Sequence, residues 1–393
     1  MLFLHPRFWG EEGKFYYFDL QGQPFLSPFF LVIRGNFQLV TNWIAYCATL
    51  VPARFAAPVT TGLSLLALGL FAGLVGLLSV QRKWPLPLVM VLIVSLALLP
   101  QGYELYLTAT NVQWIGSACV LVLLLLTALG WSRAQALLAY LLVLLAGLTG
   151  VCAVLLAPAF LLRKVFQPSA FHFRCGLILG ACALLHAAVI AGTVHPGRFL
   201  PTDLYTLTFP MVLQSVWSPL IGAGTVNTQL AWILFGVWPR LGTALIYLAA
   251  LALVGFTVLT AREAVQDRPL PWLVAGSWVS VSVLNVMGSI GDPRWFVSGW
   301  GGGRYFFLGS VCFLLLLALA ASSRDTMKST LAIGLLVLTM AAGIRTVVDG
   351  QWIEGFIRGE SWQANVDSCA GRRPCQVTGW PGGPDWTFEL QQR

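Results

Sequence analysis

The chain has 393 residues, of which 58% are hydrophobic and only 10% charged, and its mean hydropathy is +0.79. This composition excludes a soluble globular enzyme and a disordered chain alike, because repeated apolar runs of membrane-spanning length call for a bilayer as solvent. The net charge of +8 does not indicate nucleic acid: the basic residues sit in short connections between apolar runs, as orientation signals do, and not in one patch.

Residues 1–59 are rich in aromatics and are interrupted by Pro6, Pro24, Pro28, Pro52 and Pro58, which argue against one long helix. Near their start, Pro6-Arg7-Phe8-Trp9-Gly10-Glu11-Glu12-Gly13 leads through Phe15-Tyr16-Tyr17-Phe18 to Asp19. Three carboxylates thus stand among aromatics in a chain with only 15 acidic residues. Ionisable groups next to a bilayer are kept where they are solvated, paired or used. The stretch therefore reads as an active-site loop, against the plainer reading of a solvated loop ahead of a first helix. Phe37–Leu50 reads as an amphipathic helix on the membrane surface.

Apolar spans follow at 60–80, 86–100, 112–130, 135–148, 150–162, 174–194, 241–260, 272–290, 304–321 and 329–347. The pair 135–148 and 150–162 is short for a hydrocarbon core of about 30 Å, so it reads as a re-entrant pair or as one bent helix split near Gly147–Gly150. Gly69/Gly73 and Gly176/Gly180 have the spacing that lets helices pack closely.

Arg82-Lys83, Arg133, Arg163-Lys164 with Arg174, Arg262 with Arg268, and Arg324 with Lys328 occupy alternate connections, which the positive-inside rule makes cytoplasmic. Residues 1–59, 101–111, the turn near 149, 195–240, 291–303 and 348–393 then share the opposite face. With the N-terminus on that face and no span ahead of Pro6, a further transmembrane helix is expected upstream of the numbered start. The fold expected is an all-α integral membrane bundle of about 10–11 helices. It comprises one transmembrane domain over 1–348, with an outer-face catalytic loop and surface helix at 1–59 and an outer-face or re-entrant segment at 195–240, followed by a small outer-face tail at 349–393.

The outer connections hold the remaining polar inventory. Tyr103, Glu104, Asn111, Gln113 and Trp114 gather at the mouth of one span, where acids, amides and aromatics suit hydroxyl bonding and stacking on sugar faces, although Tyr and Trp there also serve as plain interfacial anchors. Arg304, with Tyr305, follows Gly301-Gly302-Gly303 on the face where basic residues are scarce, so an anionic partner is expected. A guanidinium holds a phosphate through paired hydrogen bonds, and an ion pair with Asp292 or a tail acid is the structural alternative. Arg7 and Arg34 are weaker candidates for the same task. The segment 195–240, with Trp217, Trp232, Trp238 and several prolines, reads as cover for a cavity, and His195 as a structural helix-end histidine.

Six cysteines lie in or beside apolar runs, where a thiol behaves as a small hydrophobe, whereas Cys369 and Cys375 flank a polar turn and suit a local disulfide in an oxidising compartment. The chain carries no serine-nucleophile elbow, P-loop, dinucleotide motif or metalloprotease helix.

The segments Pro6–Gly13, Glu104 to Asn111-Val112-Gln113-Trp114, Gly147-Leu148-Thr149-Gly150 and Gly302-Gly303-Arg304-Tyr305, with a cysteine-containing tail that reaches Gly379-Trp380, carry a resemblance. Over most of its length the chain resembles uncharacterised bacterial multi-pass proteins of the GT-C glycosyltransferase type. In such enzymes a paired-acid motif follows the first transmembrane helix on the outer face, and Glu11-Glu12 correspond to it without that preceding helix. The resemblance implies a bacterial inner-membrane enzyme that takes a sugar from a polyprenyl-phosphate donor, with Glu12 or Glu11 as base, Asp19 in reserve, and Arg304 holding the departing phosphate. Trp9, Tyr103, Glu104, Asn111, Gln113, Trp114 and Tyr305 would border the substrate. Some relatives of this type use a divalent metal; no complete ligand set is legible here and none is predicted. The rival readings are a transporter or flippase for a lipid-linked sugar and a non-catalytic subunit of envelope assembly. Spans almost free of charge, with the polar groups gathered on one face, favour chemistry at the surface over passage through the membrane.

Overall fold

The computed structural model describes residues 6–33, 35–102, 105–167, 169–193, 204–222, 239–288, 296, 302–348, 361–369, 375–380 and 384–390. The described chain is all-α apart from two short antiparallel pairs. Glu12–Tyr17 form a π-helical turn that runs into Phe18–Leu20, and β1 (Val32–Ile33) pairs with β2 (Asn36–Phe37). The helices are α1 (Leu39–Thr49), α2 (Ala53–Arg82), α3 (Leu86–Ala97), α4 (Val112–Leu125), α5 (Arg133–Gly147), α6 (Val151–Val154), α7 (Ala157–Phe166), α8 (Ala170–Ala191), α9 (Leu204–Val212), α10 (Ser218–Ile221), α11 (Pro239–Ala264), α12 (Leu270–Gly288), α13 (Arg304–Ala320), α14 (Thr326–Val348) and α15 (Trp362–Asp367). Strands β3 (Cys375–Thr378) and β4 (Thr387–Leu390) close the chain, with Cys375 opposite Leu390 and Thr378 opposite Thr387.

Five of these helices are long and apolar enough to cross a membrane: α2, α8, α11 from Leu241, α12 and α14. The other expected spans fall on shorter helices. With a rise of about 1.5 Å per residue, the 12 residues of α3 reach roughly 18 Å, against a hydrocarbon core of about 30 Å. The expected split near Gly147–Gly150 is where the chain breaks. Gly150 has φ +109°, a conformation that L side chains rarely adopt, and two short helices, α6 and α7, replace one continuous rod.

Helix α2 begins at Ala53, earlier than the apolar run suggests, and includes Pro58. At the sixth helical position the proline forfeits one hydrogen bond, to the Arg54 carbonyl, while the helix continues through its apolar stretch to Arg82. Within 195–240, residues 204–221 form a helix with an internal π-turn at Leu213–Trp217, and Phe209, Leu213, Val216 and Leu220 are buried in the bundle. That part of the segment is thus interior packing, not surface cover.

Two helices with no polar stripe, α4 and α13, form the centre; from Phe306 to Ala320 every residue of α13 is buried. Around them, α2, α8, α11 and α14 keep many large apolar side chains on the surface, among them Leu66, Leu184, Leu251 and Val348. Helix α14 packs tightly at Gly343 against the end of α3, where an added Cβ would lie 2.5 Å from the carbonyl oxygen of Leu98, the residue that follows α3.

The basic connections meet at one end of this bundle. Arg82 donates to the Leu125 carbonyl, Gln81 bonds Thr127, Arg163 pairs with Asp267, and Lys328 pairs with Glu263. Glu11, the turn at Ala109–Asn111, the Thr149 turn, the start of α13 and the C-terminal tail occupy the other end.

Candidate functional site

The opening stretch is held between the tail and the bundle. Trp9 and Trp380 form an isolated parallel bridge: the Gly10 N–H donates to the Trp380 carbonyl at 2.6 Å, the Trp380 N–H donates to the Phe8 carbonyl at 2.9 Å, and the two indoles lie 4.8 Å apart. Lys14 Nζ donates to the Asp385 carbonyl, and Phe8, Tyr17, Trp362 and Phe388 pack into one aromatic cluster with the Cys369–Cys375 disulfide. The expected disulfide is therefore formed, with Cα atoms 5.4 Å apart. Gly10 is required by this contact, since a methyl group there would lie 2.4 Å from the Trp386 ring. Gly10→Ala is expected to cost about 1–3 kcal/mol and to release the tail, seen as faster limited proteolysis of residues beyond 361; an unchanged cleavage rate would refute the clamp.

Between Glu11 and Glu12 the π-helical turn makes a division that the sequence leaves open. Glu12 is 1% exposed and points into the protein, where it accepts hydrogen bonds from the Trp9 N–H and the Ala109 N–H, each at 3.3 Å, and faces the Thr60 hydroxyl. Burial raises its pKa to about 7, outweighing the opposite pull of these bonds. Glu11 points the other way. Its carboxylate meets Arg304 end-on, Nη1 to Oε2 at 3.3 Å and Nη2 to Oε1 at 3.4 Å, with the two side chains 27% and 19% exposed. Arg304 also lies over the Tyr305 ring, its Cζ 5.6 Å from the centroid. Glu11 is thus an anionic partner of Arg304.

Glu11 and Arg304 line a cavity of about 410 Å³. Asn111, Gln113, Trp114 and Tyr305, all expected at the site, line it with them, and Trp114 meets Tyr305 edge to face at 5.5 Å. The lining also includes apolar side chains: Val151, Val154 and Leu155 from α6 and its end, Ala183, Ala187 and Ile190 from α8, and Leu284 from α12. The cavity lining thus combines polar and apolar side chains.

Several residues near the cavity have local structural reasons for their places. Asn111 Nδ2 bonds the Thr108 hydroxyl at 2.9 Å at the turn that starts α4, and Leu107 beside it has φ +64°. Gly150 is the one residue that fits against Gln113, whose Oε1 would sit 2.1 Å from an added Cβ. The Thr149 hydroxyl accepts the Val40 N–H at 3.2 Å, and the Leu39 N–H donates to the Leu148 carbonyl, so the Gly147–Gly150 turn carries the start of α1 to the cavity.

The remaining expected site residues lie elsewhere. Asp19 is exposed and borders a separate open hollow with Gln23, Pro24 and Phe30, and it does not line the Arg304 cavity. Arg7 is buried, desolvation lowers its pKa, and it does not line the cavity; Trp9 is engaged with Trp380. Arg34, Tyr103 and Glu104 lie outside the described residues, as do His195, Trp232 and Trp238.

The cavity adds residues that the sequence reading passed over: Asn36, Gln38, His186 and Asn285. Asn285 Nδ2 donates to the Tyr305 carbonyl at 2.8 Å and its Oδ1 accepts from Cys152 Sγ, which ties α12, α13 and α6 together at the site. His186 Nε2 contacts the Gly147 carbonyl at 2.9 Å. The available signal is that both are single polar residues inside long apolar runs, where an amide or imidazole needs a partner. Among the described residues no three His, Cys, Asp or Glu side chains converge as a metal site would need.

No family model matches the chain, and neither the curated proteins nor the solved structures give a significant match.

Proposed function

We propose that the chain is a membrane glycosyltransferase of the GT-C kind, a multi-pass bundle of about 10–11 helices in a bacterial inner membrane. It would move a sugar from a polyprenyl-phosphate donor to a cell-envelope acceptor on the non-cytoplasmic face. The observation that carries this reading is the joining, in the lining of one cavity, of an arginine–carboxylate pair with apolar side chains from α6, α8 and α12. A guanidinium fork matches a phosphate, and the apolar side chains match a lipid chain.

In this reading the donor phosphate lies at Arg304 and the lipid runs along α6, α8 and α12. Asn111, Gln113 and Trp114 border the sugar. The acceptor oxygen attacks the anomeric carbon and its proton passes to Glu11, while the bond from the anomeric carbon to the phosphate oxygen breaks and the lipid phosphate leaves with the bonding electron pair. Arg304 stabilises that charge. Glu12, removed from the cavity and fixed by backbone donors, holds the loop in place and is not the base.

Native mass spectrometry of the purified protein with added polyprenyl-phosphate sugars tests the reading. Wild type is expected to retain the lipid, Arg304→Ala to lose it by tenfold or more in affinity, as removal of a charge-assisted bidentate contact implies, and Glu11→Gln to retain it without releasing free polyprenyl phosphate when acceptor extract is added. Absence of lipid binding in all three would overturn the reading.

A further inference from the structure

Glu11 and Arg304 meet as a ligand and its receptor would. Both carboxylate oxygens face both terminal nitrogens of the guanidinium, the geometry by which arginine also takes up two oxygens of a phosphate. Both members of the pair are part of the cavity lining, beside Asn111, Gln113 and Trp114. It is also the meeting point of chain segments almost 300 residues apart, the opening stretch and the start of α13.

We propose that Glu11 is an internal anion that occupies the Arg304 fork until a phosphate ester replaces it, so that anion binding and the freeing of Glu11 are one event. This rests on the reading of the cavity as a lipid-phosphate site. The end-on fork accommodates one pair of acceptor oxygens at a time, and a phosphate that takes both Nη positions displaces the carboxylate. The exchange conserves local charge: one anionic group leaves the guanidinium as another arrives. Glu11 is then released into the cavity beside Asn111 and Gln113, where a hydroxyl acceptor would lie. Without donor, the carboxylate remains paired with Arg304.

The surroundings permit such a swing. Neither member of the pair is sealed in the core, and the rest of the opening stretch does not depend on Glu11 for its position: Glu12 is bonded to Trp9 and Ala109, and Gly10 is bonded to Trp380. The backbone on both sides stays anchored while one side chain moves.

The test is a titration of the full-length protein in detergent micelles with farnesyl phosphate, and in parallel with inorganic phosphate, by isothermal calorimetry. Glu11→Gln is expected to bind farnesyl phosphate about five- to tenfold more tightly than wild type, the size of a partly exposed ion pair that no longer competes. Glu11→Asp, which keeps the charge on a shorter arm, is expected to fall between the two. Glu389→Gln removes a carboxylate from the exposed face of β4 and controls for net charge; it is expected to leave affinity within twofold of wild type. Arg304→Ala is expected to weaken binding at least tenfold in every background.

Unchanged or weaker binding by Glu11→Gln, with Arg304→Ala still defective, would overturn the exchange while leaving the phosphate site standing. Equal tightening by Glu389→Gln would reduce the effect to long-range charge and overturn it as well. Binding by Arg304→Ala equal to wild type would instead remove the phosphate site itself. If inorganic phosphate shows the same pattern of variants at lower affinity, the fork alone recognises the anion; if only farnesyl phosphate binds, the apolar lining is required.

Discussion

The folded protein is expected to lose stability as pH rises from about 4.5 to about 7, by roughly 3 kcal/mol at about 1.4 kcal/mol per pKa unit, and Glu12→Gln is expected to abolish that part of the pH dependence. The cause is the burial of Glu12. In the unfolded chain its carboxyl titrates near 4.5, whereas in the folded protein desolvation holds the proton to about 7. Between those values the folded state binds more protons than the unfolded state, so folding is favoured by acid. The contribution is fully present below the lower value and is lost as pH rises through the upper one. Hydrogen bonds from Trp9, Ala109 and Thr60 reduce the shift but do not reverse it. Unfolding followed by intrinsic tryptophan fluorescence in mixed micelles, at pH 5 and pH 8 for wild type and variant, checks the sign. A wild type more stable at pH 8 by the same comparison would mean that the carboxylate is better accommodated than its burial implies.

The difference between Glu11 and Glu12 also shows where sequence reasoning stops. Adjacent residues in a helical turn point roughly 100° apart, so one carboxylate must face away from whatever the other faces. Which one meets the cavity depends on the direction of the turn, and that is set by contacts with Trp380, Trp386 and Phe388, some 370 residues away. No local pattern encodes such contacts. Arg304 was legible because it follows three glycines at the start of an apolar run on the face poor in basic residues, and Trp114 and Gln113 because they open an apolar run. Asn285 and His186 were hidden inside such runs, their role visible only when the partners, Tyr305 and Gly147, are placed beside them.

The helices follow the same division. Apolar runs of spanning length appear as α2, α8, α11, α12 and α14, because length and composition are properties of one segment. The interior place of 204–221 is a property of the whole bundle. Its Pro210 and Pro219 suggest a broken surface segment, yet both are accommodated around the π-turn, where Gln214 accepts from Gln101 Nε2 at 2.6 Å and donates to the Phe296 carbonyl at 2.9 Å. Side-chain amides here supply partners that a regular helix would have supplied to itself.

At the opposite end of the bundle, Asp267→Asn is expected to destabilise the protein by about 3–5 kcal/mol, the cost of leaving a buried charge without its counter-ion. Arg163 is 1% exposed and Asp267 8%, and their ion pair, Nη2 to Oδ2 at 3.4 Å, joins the end of α7 to the connection between α11 and α12. Arg82 lies within electrostatic reach of both, so Asp267 compensates two guanidinium groups and its loss leaves like charges facing each other. Asparagine keeps the volume and the acceptor oxygen but not the charge, which separates electrostatics from packing. Arg163→Met alone removes the more deeply buried cation and is expected to cost less than Asp267→Asn, because Asp267 retains Arg82. The double variant Arg163→Met with Asp267→Leu is expected to lose less than the sum of its single variants, since it replaces a desolvated pair by apolar contacts. Denaturant unfolding of wild type, Arg163→Met, Asp267→Leu and the double variant in one micelle composition measures this coupling. Simple additivity would show that the two side chains contribute separately and that the junction is held by the surrounding apolar packing alone.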